Sequence, residues 1–309
     1  MSFLHEEGGP LKARLSELAR ARRSAVVPAS ETLDPAPASG ETGVPHSSRV
    51  PVASLSPHSS RATPVSPEAA LDLALDVAEN ALGVEAFLPG GEWRDERGAV
   101  FVHERLRSDV ERRRAHWGQL DAAPEDEPDL SALCALGLEH ALFLDLETGG
   151  LASSPVFLAG TMRWNGSDFV LRQYFARHYG EEATLLAALS EETREAEFLV
   201  TFNGKSYDVP FLRGRAHVHR VPLAMPPRHL DLLHPARRRW RDELPDCRLQ
   251  TLELRVCRRR RTGDVPGEEV PGLYHDYVRH GDPYRLIPVF HHNLLDVITM
   301  GDVLGALCR

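Results

Sequence analysis

The stretch ALFLDLET, residues 141 to 148, constrains the fold more than any other part of this chain. It reads as a strand that stops at Thr148-Gly149-Gly150, a turn. Residues two apart along a strand point to the same face, so Leu144 and Leu146 go one way and Asp145 and Glu147 the other. Two carboxylates on one face of an otherwise apolar strand oppose each other's ionisation and lose hydration together. A strand simply running out into solvent suits one such acid better than two. The natural partner for the pair is a divalent cation.

Around this strand the pattern is regular. PVFLAGTMRW is a second strand and FVLRQYFA a third, joined at the Asn165-Gly166 hairpin signal. EEATLLAALSEE is a helix with leucines on one face, followed by the strand EFLVTFN and a helix beginning near Tyr207 or Asp208. HLDLL is a fifth short strand, and helices follow around HPARRRWRDEL, LQTLELRV and NLLDVITMGDVLGAL. Three antiparallel strands followed by alternating helices and strands predict an α/β fold with a mixed sheet, not a purely parallel doubly wound one.

Upstream the character differs. Residues 11 to 23 have leucines at helical spacing on a basic background, compatible with a short amphipathic helix. From Val26 to Ser66 the chain is rich in Pro, Ser, Ala and Thr, with eight prolines between Pro28 and Pro67, and reads as a linker. Ser66-Pro67-Glu68 opens a helix through about Leu82. GGEWRDERGAVFVHERL forms two strands around a turn, and the polar DAAPEDEPDL separates them from the core. The expected organisation is a largely disordered segment 1–66, a helix and strand hairpin over 67–130, and the α/β domain over 131–309.

Net charge is −9, but unevenly spread. From Thr201 onward 18 Lys and Arg stand against 13 Asp and Glu, net +5, while the first 200 residues hold 18 against 32, net −14. That argues against a generic nucleic-acid coat and leaves a basic C-terminal third. Cys134, Cys247, Cys257 and Cys308 have neither zinc-site pairing nor the density of a disulfide scaffold, so free thiols are expected. No apolar run is long enough to cross a bilayer and the N-terminus carries acid where a signal peptide carries base. The expectation is a cytoplasmic protein without membrane contact; nothing in the sequence names a protein partner.

Two further acids extend the pattern. In TFNGKSYDVPFL a strand ends at Asn203-Gly204 and Asp208 stands where a helix begins, a position that an N-cap also occupies. Asp296 lies on the last helix, about one turn past His291-His292. One acid pair on a first strand, one acid at a helix start after the fourth strand, and one acid with a nearby histidine on a C-terminal helix follow the order of the DEDD, or DnaQ-like, 3′ to 5′ exonucleases. More closely, the chain resembles the YprB-like branch of the ribonuclease H-like superfamily, through FLDLETGGL (143–151), VFLAG (156–160), FNGKSYDVPFL (202–212), HLDLLHPARRRW (229–240), CRLQTLE (247–253), DVPG (264–267) and PVFHHNLLDV (288–297). The resemblance covers nearly everything from about residue 90 onward.

It implies a ribonuclease H-like mixed five-stranded sheet flanked by helices, with Asp145, Glu147, Asp208 and Asp296 as ligands to two Mg²⁺ or Mn²⁺ ions. It also implies a histidine as proton acceptor, acting on 3′ ends of single-stranded DNA or RNA. Four carboxylates suit hard cations that keep room for water and phosphate. His291 lies five residues before Asp296, the spacing of the histidine class; His292 lies four before it, the spacing in HN-x-x-D wording of the YprB-like branch. Positions four apart on a helix differ by about 40° and positions five apart by about 140°. A continuous helix therefore favours His292; if the pair sits in a loop after Pro288, His291 is equally placed.

Thr148 and Gly149 are candidates to meet the terminal nucleotide. Many relatives read TTGL where this chain reads TGGL, which leaves a backbone approach at Gly149 but no side-chain contact. Asn203 and Lys205 are candidates to hold substrate or phosphate, although a turn asparagine and an exposed lysine need no such role. Arg237, Arg238, Arg239 and Arg241, with Trp240 interleaved, and Arg258 to Arg261 are candidates for phosphate contacts. Asp231 reads as a structural acid. Two rival functions remain: a weakly catalytic or non-catalytic nucleic-acid-binding module on the same fold, and a structure-specific endonuclease.

Overall fold

The computed structural model describes residues 83–111, 120, 126–151 and 153–308. The expected helices over 11–23 and 67–82, the linker over 26–66 and the first half of the polar stretch 121–130 lie outside the described residues. The strands are β1 (Gly90–Asp95), β2 (Gly98–Leu106), β3 (Ala141–Thr148), β4 (Val156–Trp164), β5 (Phe169–Phe175), β6 (Phe198–Thr201) and β7 (Arg228–Asp231). The helices are the single turn α1 (Arg107–Val110), α2 (Pro128–Leu136), α3 (Glu182–Arg194), α4 (Asp208–His219), α5 (Leu233–Trp240), α6 (Leu249–Arg255), α7 (Val270–His280) and α8 (Ile287–Leu307).

All seven strands form one sheet in the order β1-β2-β5-β4-β3-β6-β7. The pairings from β1 to β3 are antiparallel, and β3-β6 and β6-β7 are parallel. The expected five-stranded mixed sheet is β3 to β7; the upstream hairpin joins it, because β2 pairs with β5 and brings the total to seven. Local chemistry closes the turns. Asn165 Oδ1 accepts from the backbone N–H of Ser167 and Asp168, at 3.0 and 2.9 Å, and Gly166 takes the positive φ of 97° that this loop requires.

The alternation in ALFLDLET sorts the two faces. Phe143 joins Met162, Leu171, Val200 and the α8 residues Val297, Ile298 and Leu304 in one core. Leu144 packs on the opposite face with Tyr174, Leu185, Leu189 and Leu212, from β5, α3 and α4. Each fully buried large apolar side chain contributes roughly 1.5–3 kcal/mol. Helix α8 is buried along most of its 21 residues, so it is a core helix crossing the sheet rather than an amphipathic lid. Helix α7 has no counterpart in the sequence reading. Its Pro271-Gly272 looks like a turn, although Val270, Leu273, Tyr274 and Tyr277 carry helical spacing and are buried.

Candidate active site

Strand β6 pairs with β3 only from Ala141 to Phe143, whereas β4 follows β3 as far as Thr148, with a register shift at Glu147/Thr148. The last residues of β3 thus lose their neighbour on one side. Asp208, first residue of α4, stands at this gap, near enough to the backbone N–H groups of Leu146 and of Asp208 itself for both to favour its charged form. The acid therefore sits inside the first turn rather than capping it, with Tyr207 in the cap position. Helix α8 crosses over β3 and carries Asp296. Asp145, Glu147, Asp208 and Asp296 thus come together at the carboxyl ends of the parallel strands, where open α/β sheets leave a crevice.

Their electrostatics show the proximity. Burial raises the Asp145 pKa well above the usual carboxylate range, and the charges of Asp296, Glu147 and Asp208 raise it further. Glu147 is pushed up by burial and then by Asp296, Asp208 and Asp264, with Arg261 opposing. Asp208 is raised to about 6, first by burial, with Asp231 and Asp296 adding and the two backbone bonds opposing. Asp145 and Glu147 keep part of their surface in contact with solvent, yet enough protein surrounds them to penalise their charge.

Asp145 has one neutral partner. Asn293 Nδ2 donates to its Oδ2 at 2.9 Å, and Asn293 Oδ1 in turn accepts from Gln173 Nε2 at 2.9 Å, which fixes which way the amide faces. Asn293 is fully buried and lies directly over Gly160, the residue paired with Asp145; any Cβ at 160 would overlap the Asn293 side chain. The glycine in VFLAG is therefore set by the site above it.

The two histidines part company. Helix α8 starts at Ile287, so both are helical, and His292 lies beside Asp296 as the four-residue spacing predicts, with Nε2 at 3.4 Å from Oδ2. It is only 6% exposed, and its Nδ1 is 2.7 Å from Asp264 Oδ1, so both nitrogens face carboxylates. His291 is exposed; even so, the protein around it holds its pKa below 6.5, with Arg261 and His292 lowering it further and Asp264 opposing. The helical geometry favouring His292 as Asp296's neighbour holds, but a buried ring with both nitrogens engaged is ill suited to take a proton from water.

The expected substrate residues divide similarly. Thr148 gives its hydroxyl to Gly150 O at 3.0 Å. Gly149 O lies 2.8 Å from His275 Nε2, whose Nδ1 is 2.8 Å from Tyr179 Oη, and a Cβ at 149 would come within 3.0 Å of Pro155 and 3.1 Å of His275. The substitution of glycine for the second threonine thus goes with a close approach by α7. Asn203 adopts φ 64°, and its N–H and that of Lys205 donate to Asp231 at 2.7 and 3.0 Å, so Asp231 shapes the turn rather than adding a ligand. Lys205 Nζ lies 3.7 Å from Asp129.

Arg237, Arg238 and Arg239 are exposed on α5; Arg238 pairs with Glu127, and Arg239 lies 3.3 Å from Glu243. Among the described contacts of the acid cluster, none involves these three. Trp240 is 7% exposed and belongs to the core, which corrects its reading as an interleaved stacking surface. The run 258–261 is corrected as well. Arg258 and Arg260 are exposed, but the side chains of Arg259 and Arg261 are enclosed in ion pairs with carboxylates and face no open phosphate path. Sequence reasoning gave no role to Asp264 in DVPG, to Asn293, or to Tyr207, which is 69% exposed beside Asp208. An aromatic next to an acid at a helix start was the available signal for Tyr207.

Among the described residues no group of three or more His, Cys, Asp or Glu side chains is arranged to hold a metal ion. Asp145 is engaged by Asn293 and Asp296 by Arg261. The donor chemistry nevertheless fits a hard divalent cation: an all-carboxylate set whose buried members repel one another.

A family model described as RNase_H superfamily matches residues 142–308. The chain belongs to the RNase H superfamily. The RNase H superfamily segment begins in β3 and runs past the end of α8, so all four acids lie within it, and the β1-β2 hairpin precedes it. YprB of Bacillus subtilis (strain 168), described as uncharacterised, is 33% identical over 180 residues, 53% of this chain and 43% of YprB. The chain thus matches less than half of that relative's length. A family B DNA polymerase from the hyperthermophilic archaeon Pyrobaculum calidifontis aligns with a TM-score of 0.41 at 19% identity, over 53% of this chain and 23% of the polymerase. Among the described residues no helix is long and apolar enough to cross a membrane.

Proposed function

We propose that this chain is a metal-dependent 3′ to 5′ exonuclease that hydrolyses phosphodiester bonds at the ends of single-stranded DNA or RNA. The observation that carries the reading is the convergence of Asp145, Glu147, Asp208 and Asp296, from β3, α4 and α8, inside an RNase H superfamily segment. Two Mg²⁺ or Mn²⁺ ions held by these carboxylates would offset the charge developing on the attacking water and the leaving 3′ oxygen of an in-line displacement.

The chain's own groups supply the rest. Asn293, oriented by Gln173, keeps the Asp145 carboxylate turned in one direction. His291, exposed and with a lowered pKa, is neutral near pH 7 and takes the water's proton. His292 ties Asp264 to the neighbourhood of Asp296 and positions that acid. Tyr207 and Leu151, 69% and 88% exposed, follow or precede the ligand acids closely in sequence and offer apolar surface to a terminal base.

The test is digestion of 3′- and 5′-labelled DNA and RNA oligonucleotides with and without Mn²⁺, beside Asp145→Asn. Stepwise shortening from the 3′ end is expected with metal and the native chain alone. Cleavage that survives both metal removal and the substitution would rule out this mechanism. Internal cuts would identify an endonuclease, and retention without cutting a binding module.

A further inference from the structure

Arg261 lies between α6 and α7 with its side chain 7% exposed. Its Nε donates to Glu253 of α6, and Nη1 lies 3.3 Å from Asp264 Oδ2. Its remaining arm, Nη2, donates to Asp296 Oδ1. Glu253 is buried, and Asp264 is fixed from its other oxygen by His292 at 2.7 Å. Two acids outside the proposed ligand set thus hold the guanidinium, and the planar fork leaves its third arm aimed at a ligand. Burial opposes the charge of Arg261, but Asp296 and Glu253 more than offset that. The same positive charge acts on Glu147.

Resting on the metal-dependent reading above, we propose that Arg261 is a resident counter-ion that competes with a divalent cation for Asp296, so that an ion needing this carboxylate is bound more weakly than the acids alone would hold it. A guanidinium on one Asp296 oxygen withdraws that donor and repels an incoming dication at short range in a partly dehydrated site.

Isothermal titration of the metal-free full chain with Mn²⁺ alone, without nucleic acid, tests this. Arg261→Gln is expected to tighten the Mn²⁺ site that uses Asp296 by roughly tenfold or more. Because that variant leaves buried Glu253 with only Arg259, 3.6 Å away, Glu253→Gln/Arg261→Gln is titrated beside it; it removes both charges together and is expected to tighten the same site. Unchanged or weaker Mn²⁺ binding in a folded variant overturns the competition. Asp145→Asn separates this from the underlying reading. If it abolishes binding while the Arg261 variants match the native chain, only the competition falls; if it binds Mn²⁺ as the native chain does, the metal site itself falls, and the proposal with it.

Discussion

At the scale of single residues, the site concentrates charge that the fold would be more stable without. Asp208 has a folded-state pKa of about 6 against an ordinary 3.8, so the folded protein holds this proton more tightly than the unfolded chain does. That preference stabilises the fold fully below about pH 4 and is lost as pH rises through about 6. Metal-free protein should therefore lose stability across that interval, and Asp208→Asn should be more stable than the native chain at neutral pH by on the order of 2 kcal/mol. Urea unfolding in a chelator measures this, and a destabilised Asn variant would contradict it. The paired histidines make the second prediction at this scale. His291→Ala should cost about 10²-fold or more in rate and remove the acid limb of the pH profile, a limb that lies below 6.5 because the base works unprotonated. His292→Ala should slow the reaction yet keep the limb; the reverse pattern would exchange their roles. Both residues were legible as candidates, but nothing in "HHN" says which ring is buried.

At the scale of elements, α8 does most of the assembly, since it crosses β3 and carries Asn293 and Asp296 to Asp145. Its far half is anchored by Arg259, which binds Asp302, lies 3.0 Å from Thr299 Oγ1, and reaches Glu111 at 2.8 Å just after α1. Arg259→Ala removes one of two enclosed arginines on those acids, Arg107 still lying 3.1 Å from Glu111 and 4.0 Å from Asp302, and should cost about 1.5–3 kcal/mol, seen as a lower urea midpoint with the slope unchanged. A loss under about 1 kcal/mol would mean the network is worth no more than a surface pair. The strands were readable as short apolar runs bounded by turn signals, and α3 from its leucines on one face, because those patterns are local. Helix α7 is hidden because its Pro-Gly start imitates a turn, and the arginine run divides between solvent, for Arg258 and Arg260, and enclosed carboxylates, for Arg259 and Arg261, a division that only distant segments set.

At the scale of the whole molecule, the acidic total of −9 coexists with a C-terminal third of net +5. If Arg237 and Arg239 on α5 meet the backbone of a bound strand, the affinity for single-stranded oligonucleotides falls with salt. Replacing both by alanine should then reduce the slope of log K against log salt by about 1.4. A slope that the double replacement does not change would assign these arginines to solvation alone. Charge patterning identified a basic region, but several of its arginines turn inward to carboxylates, which no count of charges can reveal.

The sequence by itself determined the mixed α/β architecture, because strand alternation and helix spacing are local; the Asp145-Glu147 pair stood out from its apolar strand, whereas Asp208 and Asp296 became candidates only through the order of motifs in the resemblance. Only the tertiary structure decided that His292 is buried and His291 exposed, that Gly160 makes room for Asn293, and that Arg261 reaches Asp296. Those facts depend on contacts between segments far apart in the chain, where burial and charge are set by neighbours that periodicity does not specify.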